Sequence, residues 1–398
     1  MEIFMKILFY RYGSICEPDV IEQFKNLGLE VDTIENEITD KKLTPAKRVE
    51  LVSQRLNKEQ YLFVFSINFF PVISKLCNIY NIKYVTWVVD SPVLELFSKE
   101  IQNPCNRVFL FDMKQYEDLH QYNEEGLYHL PLGTNVNRWD KVIAGISAAD
   151  RAKFSSDISF VGSLYNEKDP YLSVKDPSEY LQGYVNGLFN CQKQIQGYNI
   201  IEKSLNDAVI SELKEKLPSE FASADATVKN MDTYCAAHGI LDMHISSLER
   251  IENLQELSRY FNVNLFTRSD ISAFKDFPNV HVKGGVKTLD EMPKVFNLSK
   301  INLNMTIHSI EKGASLRVWD VMGCGGFLMS NYQEELQGYL VAGEDYDYYT
   351  DLGDLLDKCD FYLSHEDIRA KIAKTGDEKV KNFHTYANRM PDMIRTLL

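Results

Sequence analysis

The strongest chemical pattern in the sequence lies between Thr306 and Asn331, where charged and small residues alternate with glycines. Gly313–Ser315 stands at the predicted start of a helix, where backbone N–H groups and the positive end of the helix dipole can hold an anion. Arg317 follows in the first turn and can bind the same anion through two N–H groups. Asp320 comes three residues later, where a carboxylate can accept both hydroxyls of a ribose. This pattern predicts a site for a phosphate-containing nucleotide.

The same residues also permit a structural interpretation. Arg317 and Asp320 have the i,i+3 spacing of an ordinary ion pair on a solvated helix. Gly323, Gly325 and Gly326 would then serve only to let the helix pack. Three glycines in four positions cost stability and are typical of close backbone approach, which favours a built site.

The elements that must position these residues follow an α/β pattern. Over the first 135 residues, apolar runs alternate with amphipathic segments, as expected of a parallel sheet flanked by helices. The predicted strands of this half are 6–10, 29–34, 61–66, 83–89, 107–111 and 127–130. A small, polar segment at 140–156 precedes a second set of predicted strands, at 157–163, 262–267, 279–283, 300–305 and 327–330.

This pattern predicts two Rossmann-like α/β domains that face each other across a cleft. The predicted boundaries are 1–150 for the first domain, 151–382 for the second, and 383–398 for a C-terminal helix that packs back on the first. Residues from about 168 to 245 lack strand patterns and predict a helical insert in the second domain. Ligands of open parallel sheets bind at the carboxyl ends of the strands, so Gly162 and Arg268 join the Gly313 loop as candidate contacts.

Composition excludes several classes of function. The chain of 398 residues has 43 basic and 57 acidic side chains, a net charge of -14, which argues against nucleic-acid or anionic-membrane binding. Its seven cysteines are scattered without a Cys-x-x-Cys pair, so neither a disulfide framework nor a zinc site is indicated. No apolar stretch has the length that a transmembrane helix needs, and the apolar start is too short for a signal peptide. We therefore expect a cytoplasmic protein.

The order of the motifs resembles that of glycosyltransferases with two Rossmann-like domains, the GT-B fold. In particular it is similar to the CgeB-like, spore-maturation-protein-like family, whose N-terminal half is a domain of unknown function. The segments that carry the resemblance are a Gly-x-x-x-Arg-x-x-Asp block from Gly313, together with Trp87–Pro92, Asp157–Ser163, Tyr348–Asp351, Phe361–His365, Ile372–Gly376 and His384–Arg389.

The resemblance implies that the second domain binds a nucleotide-diphosphate sugar and the first domain the acceptor. Asp320 matches the ribose-binding acid of the paired-Glu motif in the retaining families. Glu311 lies one residue out of register for the other acid of that motif, which leaves the stereochemistry open. The predicted donor-binding residues are Gly162, Arg268, Glu311, Lys312, Gly313, Ala314, Ser315, Arg317 and Asp320.

The predicted catalytic residues are Asp90, Arg317 and His308. Asp90 ends the apolar segment KYVTWVV, where desolvation would raise its pKa, and Pro92 would fix the turn that presents it as a general base. A helix cap is the alternative role of Asp90. Arg317 would stabilise the leaving diphosphate. His308 precedes the Gly313 loop and is a candidate contact to sugar or phosphate, whereas His129 is more typical of a structural histidine.

The predicted function is transfer of a sugar from a nucleotide-diphosphate sugar to a protein, glycan or small molecule, without a metal or other cofactor. The Asp-x-Asp sequence at Asp345–Asp347 lies in an apparent loop and is not counted as a metal site. Two alternatives share the fold: a nonhydrolysing sugar-nucleotide epimerase, and a catalytically silent module that binds nucleotide sugars or partners a transferase.

Overall fold

The computed structural model describes residues 5–221 and 226–397, which form two compact α/β units. The first unit comprises 5–133, 226–230 and 385–397, and the second comprises 134–221 and 231–384. Each unit contains a six-stranded sheet in which every neighbouring pair of strands is parallel. The predicted α/β class is therefore confirmed.

The sheet of the first unit has the strand order β2-β1-β3-β4-β5-β6. Its strands are β1 Lys6–Tyr10, β2 Glu30–Ile34, β3 Phe63–Ile67, β4 Lys83–Val88, β5 Asn106–Leu110 and β6 Leu127–His129. The helices between them are α1 Glu17–Asn26, α2 Asn36–Thr39, α3 Pro45–Leu56, α4 Pro71–Ile79 and α5 Met113–Leu119. Every residue of β3 is buried, because helices cover both faces of a parallel sheet. This is why β3 is a nearly continuous apolar run in the sequence.

The sheet of the second unit has the order β12-β11-β10-β7-β8-β9. Its strands are β7 Ser156–Val161, β8 Val263–Phe266, β9 Val280–Val282, β10 Ser299–Asn304, β11 Leu328–Asn331 and β12 Asp347–Tyr349. Its helices outside the insert are α6 Val136–Ala144, α7 Ala148–Phe154, α13 Met292–Leu298, α14 Leu316–Gly323, α15 Leu352–Ser364 and α16 Glu366–Phe383.

The connection between β7 and β8 contains the predicted helical insert, which the structure confirms. Its elements are α8 Glu179–Gln192, α9 Ile201–Ser204, α10 Asp207–Lys216, α11 Asp232–Tyr234, a π-helix at Cys235–Leu241, and α12 Asp242–Leu257. The insert has its own apolar core, in which side chains of α8 and α10 pack against the π-helix. α12 continues directly from the π-helix.

One strand of the second sheet is not predicted by the sequence pattern. Asp347 begins the edge strand β12 rather than lying in the loop expected for the Asp-x-Asp sequence. Three residues are too few to show the alternation by which strands are recognised. Both carboxylates have internal partners, because Asp345 accepts from Lys379 Nζ at 2.6 Å and Asp347 accepts from the Tyr362 hydroxyl at 2.7 Å.

The last helix, α17 Tyr386–Arg395, belongs to the first unit. The Tyr386 ring packs edge-on against Trp87 of β4, with 5.7 Å between the ring centroids. Across 5–221 and 226–397, no helix combines the length and apolarity that crossing a membrane requires.

Both sheets have a point at which the strand order reverses direction. In the first unit it lies between β1 and β3, and in the second between β7 and β10. Because the connections leave such a pair of strands toward opposite sides, a crevice opens beyond their carboxyl ends, where α/β proteins bind ligands. These two positions are the candidate sites.

Candidate functional site

The reversal point of the second unit carries a pocket with a cavity volume of about 170 Å³. We call it the switch-point pocket. Its polar lining residues are Ser163, Asn304, Thr306, Ser315, Arg250 and Arg317. No carboxylate is among the lining residues in the described part of the chain. The pocket is smaller than the cavities that hold drug-sized ligands and matches a compact anion such as a diphosphate.

Arg317 lines the pocket and lies in the first turn of α14. Its guanidinium lies 5.2 Å from the centre of the Phe296 ring. The distance from Arg317 Nη1 to Asp320 Oδ2 is 3.9 Å, at the limit of an ion pair. Burial lowers the pKa of Arg317 and Asp320 acts to raise it, while the positive charge of Arg250 also lowers it. An anion in the pocket would therefore stabilise the charged form of Arg317.

Ser315 precedes α14 at the N-cap position, but its side chain makes no capping hydrogen bond. Its Oγ is buried and has no hydrogen-bond partner within the described residues. A serine in this position ordinarily accepts from the N–H groups of the first turn. Since it does not, both the hydroxyl and the positive end of the helix can interact with an anion in the pocket.

Arg250 completes the pocket and was not predicted. It projects from α12, and its Nη1 donates to the backbone oxygen of Ser163 at 2.6 Å, while Nη2 donates to that of Met305. These carbonyls follow β7 and β10, so Arg250 ties the ends of the two strands together. Its Nε has no hydrogen-bond partner within the described chain. A lone arginine in a helical segment carries no motif, so only the fold could show this role.

Tyr165 supports Arg250 from the loop after β7. The guanidinium carbon of Arg250 lies 4.2 Å from the centre of the Tyr165 ring. Tyr165 has a φ of 68°, in the left-handed region that non-glycine residues rarely adopt. Strained backbone of this kind clusters at functional sites. Gly162 also lines the pocket, but its N–H donates to the Phe266 oxygen at 3.1 Å and is not directed at a ligand.

The switch-point pocket therefore has the components of an anion site. Two guanidinium groups, a helix N-terminus and a hydroxyl converge where no lining side chain is acidic. Arginine binds phosphate oxygens through paired, charge-assisted hydrogen bonds. Such a site can bind a diphosphate and stabilise the negative charge that develops on it when it leaves.

Asp320 lies outside the switch-point pocket. It is 4% exposed and does not line the pocket. Its Oδ1 accepts a hydrogen bond of 2.7 Å from Thr134 Oγ1, which in turn accepts from Trp139 Nε1 at 2.6 Å. This carboxylate anchors the start of the second unit to α14, and its role with a ribose stays a prediction.

The loop before α14 is also placed differently from the sequence expectation. Gly313 and Ala314 are buried and Lys312 is half-buried, and none of the three lines the pocket. Glu311 instead lies near His238 and Glu202 of the insert. Arg268 is exposed and extends across Gly285, where a Cβ atom would come within 2.5 Å of Arg268 Cγ.

His308 is a buried residue that links this loop to α12. Its Nε2 lies 2.7 Å from Glu249 Oε2, and its backbone N–H donates to Ser246 Oγ at 3.2 Å. Burial acts to lower the pKa of His308, but the Glu249 carboxylate outweighs it and raises the pKa above the ordinary value. His308 is 8% exposed and does not line the switch-point pocket, and its contact to sugar or phosphate stays a prediction.

The glycines at the end of α14 and in the turn after it are explained by packing. A Cβ on Gly326 would lie 2.6 Å from the Phe296 oxygen and 2.7 Å from Asn302 Nδ2. Gly325 has a φ of 71° in the tight turn before β11. Gly323 faces Thr134, whose Cγ2 would be 2.9 Å from an added Cβ. The close backbone approach that the glycines indicated is thus between protein segments.

The reversal point of the first unit carries a larger pocket, with a cavity volume of about 530 Å³. We call it the aromatic pocket. It is lined by Tyr12 after β1, Asn68 and Phe70 after β3, and Asp90 after β4, with Arg48 from α3. Asp90 is exposed, so burial does not provide the desolvation predicted for it.

Asn68 is the residue that holds Asp90 in place, and it was missed as a functional residue. Its Nδ2 donates to Asp90 Oδ2 at 2.6 Å and to the Tyr12 hydroxyl at 2.9 Å. Its Oδ1 accepts from the Val89 N–H at 3.0 Å. Asn68 has a φ of 54°, a conformation that asparagine tolerates better than most residues.

Aromatic and charged groups complete this pocket. The guanidinium of Arg48 lies 5.6 Å from the centre of the Phe70 ring and forms a two-point contact with Glu37, at 2.7 and 3.0 Å. Phe70 is half-buried, whereas Phe69 is 2% exposed and packs 5.7 Å from Tyr84 in the core. Of the two phenylalanines, only Phe70 is available for stacking on a ligand.

Residues 248–395 match the family model described as glycosyl transferase-like. The match begins in α12, next to Arg250, and includes α14 with Arg317 and Asp320. It covers the second half of the second unit and the C-terminal helix. No curated protein matches the chain.

Solved structures share the fold over nearly the whole chain. A glycosyltransferase from Rickettsia africae is 13% identical, with a TM-score of 0.55 over 99% of this chain and 98% of that one. Sucrose-phosphate synthase from Thermosynechococcus elongatus is 14% identical, with a TM-score of 0.59 over 99% of each chain. HepE of Anabaena, in complex with UDP and glucose, is 10% identical, with a TM-score of 0.54 over 99% of this chain and all of its own. The protein therefore has the GT-B fold.

Proposed function

We propose that this protein is a glycosyltransferase that takes a sugar from a nucleotide-diphosphate sugar. The observation that carries the proposal is the switch-point pocket, in which Arg250, Arg317 and the start of α14 converge without a lining carboxylate. On a GT-B fold, a cationic pocket at the strand reversal of the second sheet suits the diphosphate of a donor.

The chemistry asked of this pocket is stabilisation of a leaving group. When the bond between the anomeric carbon and the diphosphate oxygen breaks, negative charge develops on that oxygen. Two guanidinium groups and a helix N-terminus that are already in position stabilise this charge without reorganisation. These groups supply the role that a divalent cation has in other phosphate chemistry, so we propose that transfer requires no catalytic metal.

The acceptor is assigned to the aromatic pocket of the first unit. Phe70 and Tyr12 offer surfaces for a sugar or aromatic ring, and Arg48 and Asp90 offer polar contacts. We propose that Asp90 accepts the proton of the acceptor hydroxyl as its oxygen attacks the anomeric carbon. Asn68 would position the carboxylate, because its amide donates to Asp90 Oδ2 at 2.6 Å.

The proposal keeps the division of labour suggested by the motifs, with the acceptor domain at 1–150 and the donor domain at 151–382. The order of the motifs from Trp87–Pro92 to His384–Arg389 supports a place among the CgeB-like group. HepE, which shares the fold, is known in complex with UDP and glucose, and uridine nucleotides are therefore the first donors to test.

The deciding experiment is calorimetric titration of the protein with UDP, GDP, ADP and their glucose conjugates. We expect one of the diphosphates to bind and Arg250→Lys to weaken it, because lysine cannot bridge both strand-end carbonyls and reach the ligand. Arg259→Ala is the matched control, since Arg259 is an exposed arginine just beyond α12 that pairs with Glu256.

Failure of every nucleotide diphosphate to bind would overturn the proposal. Binding alone does not establish transfer, so release of the nucleoside diphosphate from the donor is measured in the presence of candidate acceptors. Tight donor binding without release, across protein, glycan and small-molecule acceptors, would instead favour the silent binding module.

A further inference from the structure

A second group of polar side chains lies in the helical insert, outside both pockets. Glu202 of α9, His238 of the π-helix and Glu311 of the loop after β10 each offer a metal-ligand atom, and these atoms lie within 4.8 Å of one another. The three residues are far apart in the sequence, so no sequence motif identifies them as a group. Imidazole nitrogen and carboxylate oxygen are both ligand atoms that Zn²⁺ binds in proteins.

His238 is held in the orientation that a metal ligand requires. It is 3% exposed, and its Nδ1 lies 2.7 Å from Oδ2 of Asp242, one turn further along the helix. Asp242 is fully buried and accepts from Asn199 Nδ2 with both oxygens at 2.9 Å. The carboxylate thus fixes the proton on Nδ1 and directs Nε2 toward Glu202 Oε2, 3.4 Å away. A carboxylate behind an imidazole is the usual support of a metal-bound histidine.

The helix around His238 is itself unusual. Cys235–Leu241 is a π-helix of seven residues, although the chain on either side of it is α-helical. π-helical turns are rare and occur frequently at functional sites. Ala236, Ala237 and Ile240 of this helix pack in the apolar core of the insert, whereas Nε2 of His238 lies next to Glu202.

We propose that Glu202, His238 and Glu311 bind a divalent transition-metal ion, and that Zn²⁺ is the ion this ligand set fits best. Zn²⁺ binds nitrogen and oxygen at about 2.0–2.2 Å, so bound ligand atoms lie roughly 3–4 Å apart. The glutamates are half-exposed and can close the remaining distance by side-chain rotation. Mg²⁺ and Ca²⁺ prefer ligand sets made of oxygen alone, which disfavours them here.

The elements that carry the three proposed ligands indicate what a bound ion would do. Glu202 and His238 belong to the insert, whereas Glu311 lies in the loop four residues before Ser315. A metal bridge would therefore fasten this loop to the insert and limit the motion of the segment that leads to α14. The role is structural, because none of the three ligands lines the switch-point pocket.

The test is calorimetric titration of the EDTA-treated, full-length protein with ZnCl₂ at pH 7. We expect one Zn²⁺ per chain. Glu202→Gln and Glu311→Gln should each weaken binding about tenfold or more. Glu215→Gln, which changes an exposed glutamate of α10, is the control and should bind as the native chain does.

Absence of Zn²⁺ binding, or equal binding by the native chain and both glutamine variants, would overturn the site. If a variant does not fold, X-ray absorption of the native Zn²⁺ complex decides instead. One imidazole with oxygen ligands supports the proposal, and sulfur ligands or a shell without imidazole refute it. None of these measurements uses sugar transfer, so the metal site and the proposed function can fail separately.

Discussion

Replacement of Arg317 by alanine tests the switch-point pocket most directly. In the protein without ligand, this side chain makes a 3.9 Å ion pair with Asp320, a cation–π contact with Phe296 and a contact from Nη1 to Met292 Sδ at 2.6 Å. A weak ion pair and a cation–π contact contribute about 1 kcal/mol each or less, and a thioether sulfur is only a weak acceptor. We therefore expect the variant to fold and to unfold at nearly the native temperature.

The loss of ligand binding should be much larger than the loss of stability. Hydrogen bonds to a charged group contribute about 1.5–3 kcal/mol. At about 1.4 kcal/mol per tenfold, Arg317→Ala should raise the Kd for the nucleotide diphosphate roughly 10- to 150-fold. The Kd of Arg317→Lys should lie between those of the native protein and Arg317→Ala, because lysine retains the charge but not the paired donors.

Calorimetry measures the Kd values, and thermal unfolding confirms that each variant is folded. The control is again Arg259→Ala, which removes an exposed arginine of the same unit. A folded Arg317→Ala protein that binds the diphosphate within twofold of the native chain would refute the assignment of this pocket to the donor.

Three further predictions concern other parts of the molecule. Asp90→Asn should lower the rate of transfer while leaving the Kd for the donor within twofold, and an unchanged rate in steady-state kinetics would remove Asp90 from catalysis. Gly326→Ala should destabilise the fold by about 1–3 kcal/mol in urea unfolding, because its Cβ would lie 2.6 Å from the Phe296 oxygen. Gly338→Ala is the control and should be nearly neutral, because its added Cβ would meet no described atom within 4 Å. Burial acts to lower the pKa of His238, but Asp242 and Glu202 raise it to about 10. The stability lost in His238→Gln, measured with EDTA, should thus be largest below about pH 6.5 and should shrink as pH rises toward 10; a difference that is constant across this range would contradict the assigned charge.

Much of the fold could be predicted because local patterns and buried strands coincide. The strands of parallel sheets are covered on both faces, so apolar runs such as Phe63–Ile67 stand out from the helical segments between them. The helical insert was recognised by the absence of such runs. The short edge strand Asp347–Tyr349 was missed because its residues alone do not distinguish a strand from a loop.

The candidate site was predictable only in part. Arg317 and Ser315 could be found because a helix start and its first turn are local features, and local sequence determines them. Arg250 could not be found, since it reaches the pocket through contacts with the ends of two strands that are distant in sequence. Asn68 could not be predicted for a similar reason, because it positions the side chain of Asp90, which is 22 residues away in the sequence.

Sequence by itself determined the elements of this protein: where strands and helices form, where a helix presents its N-terminus, and which segment interrupts the second α/β pattern. Tertiary structure decided which charged groups meet. It turned Asp320 toward Thr134, brought Glu311 to His238, and placed Arg250 beside Arg317 at a strand reversal. The physical reason is that secondary structure depends on neighbours along the chain, whereas the field and geometry of a site depend on neighbours in space.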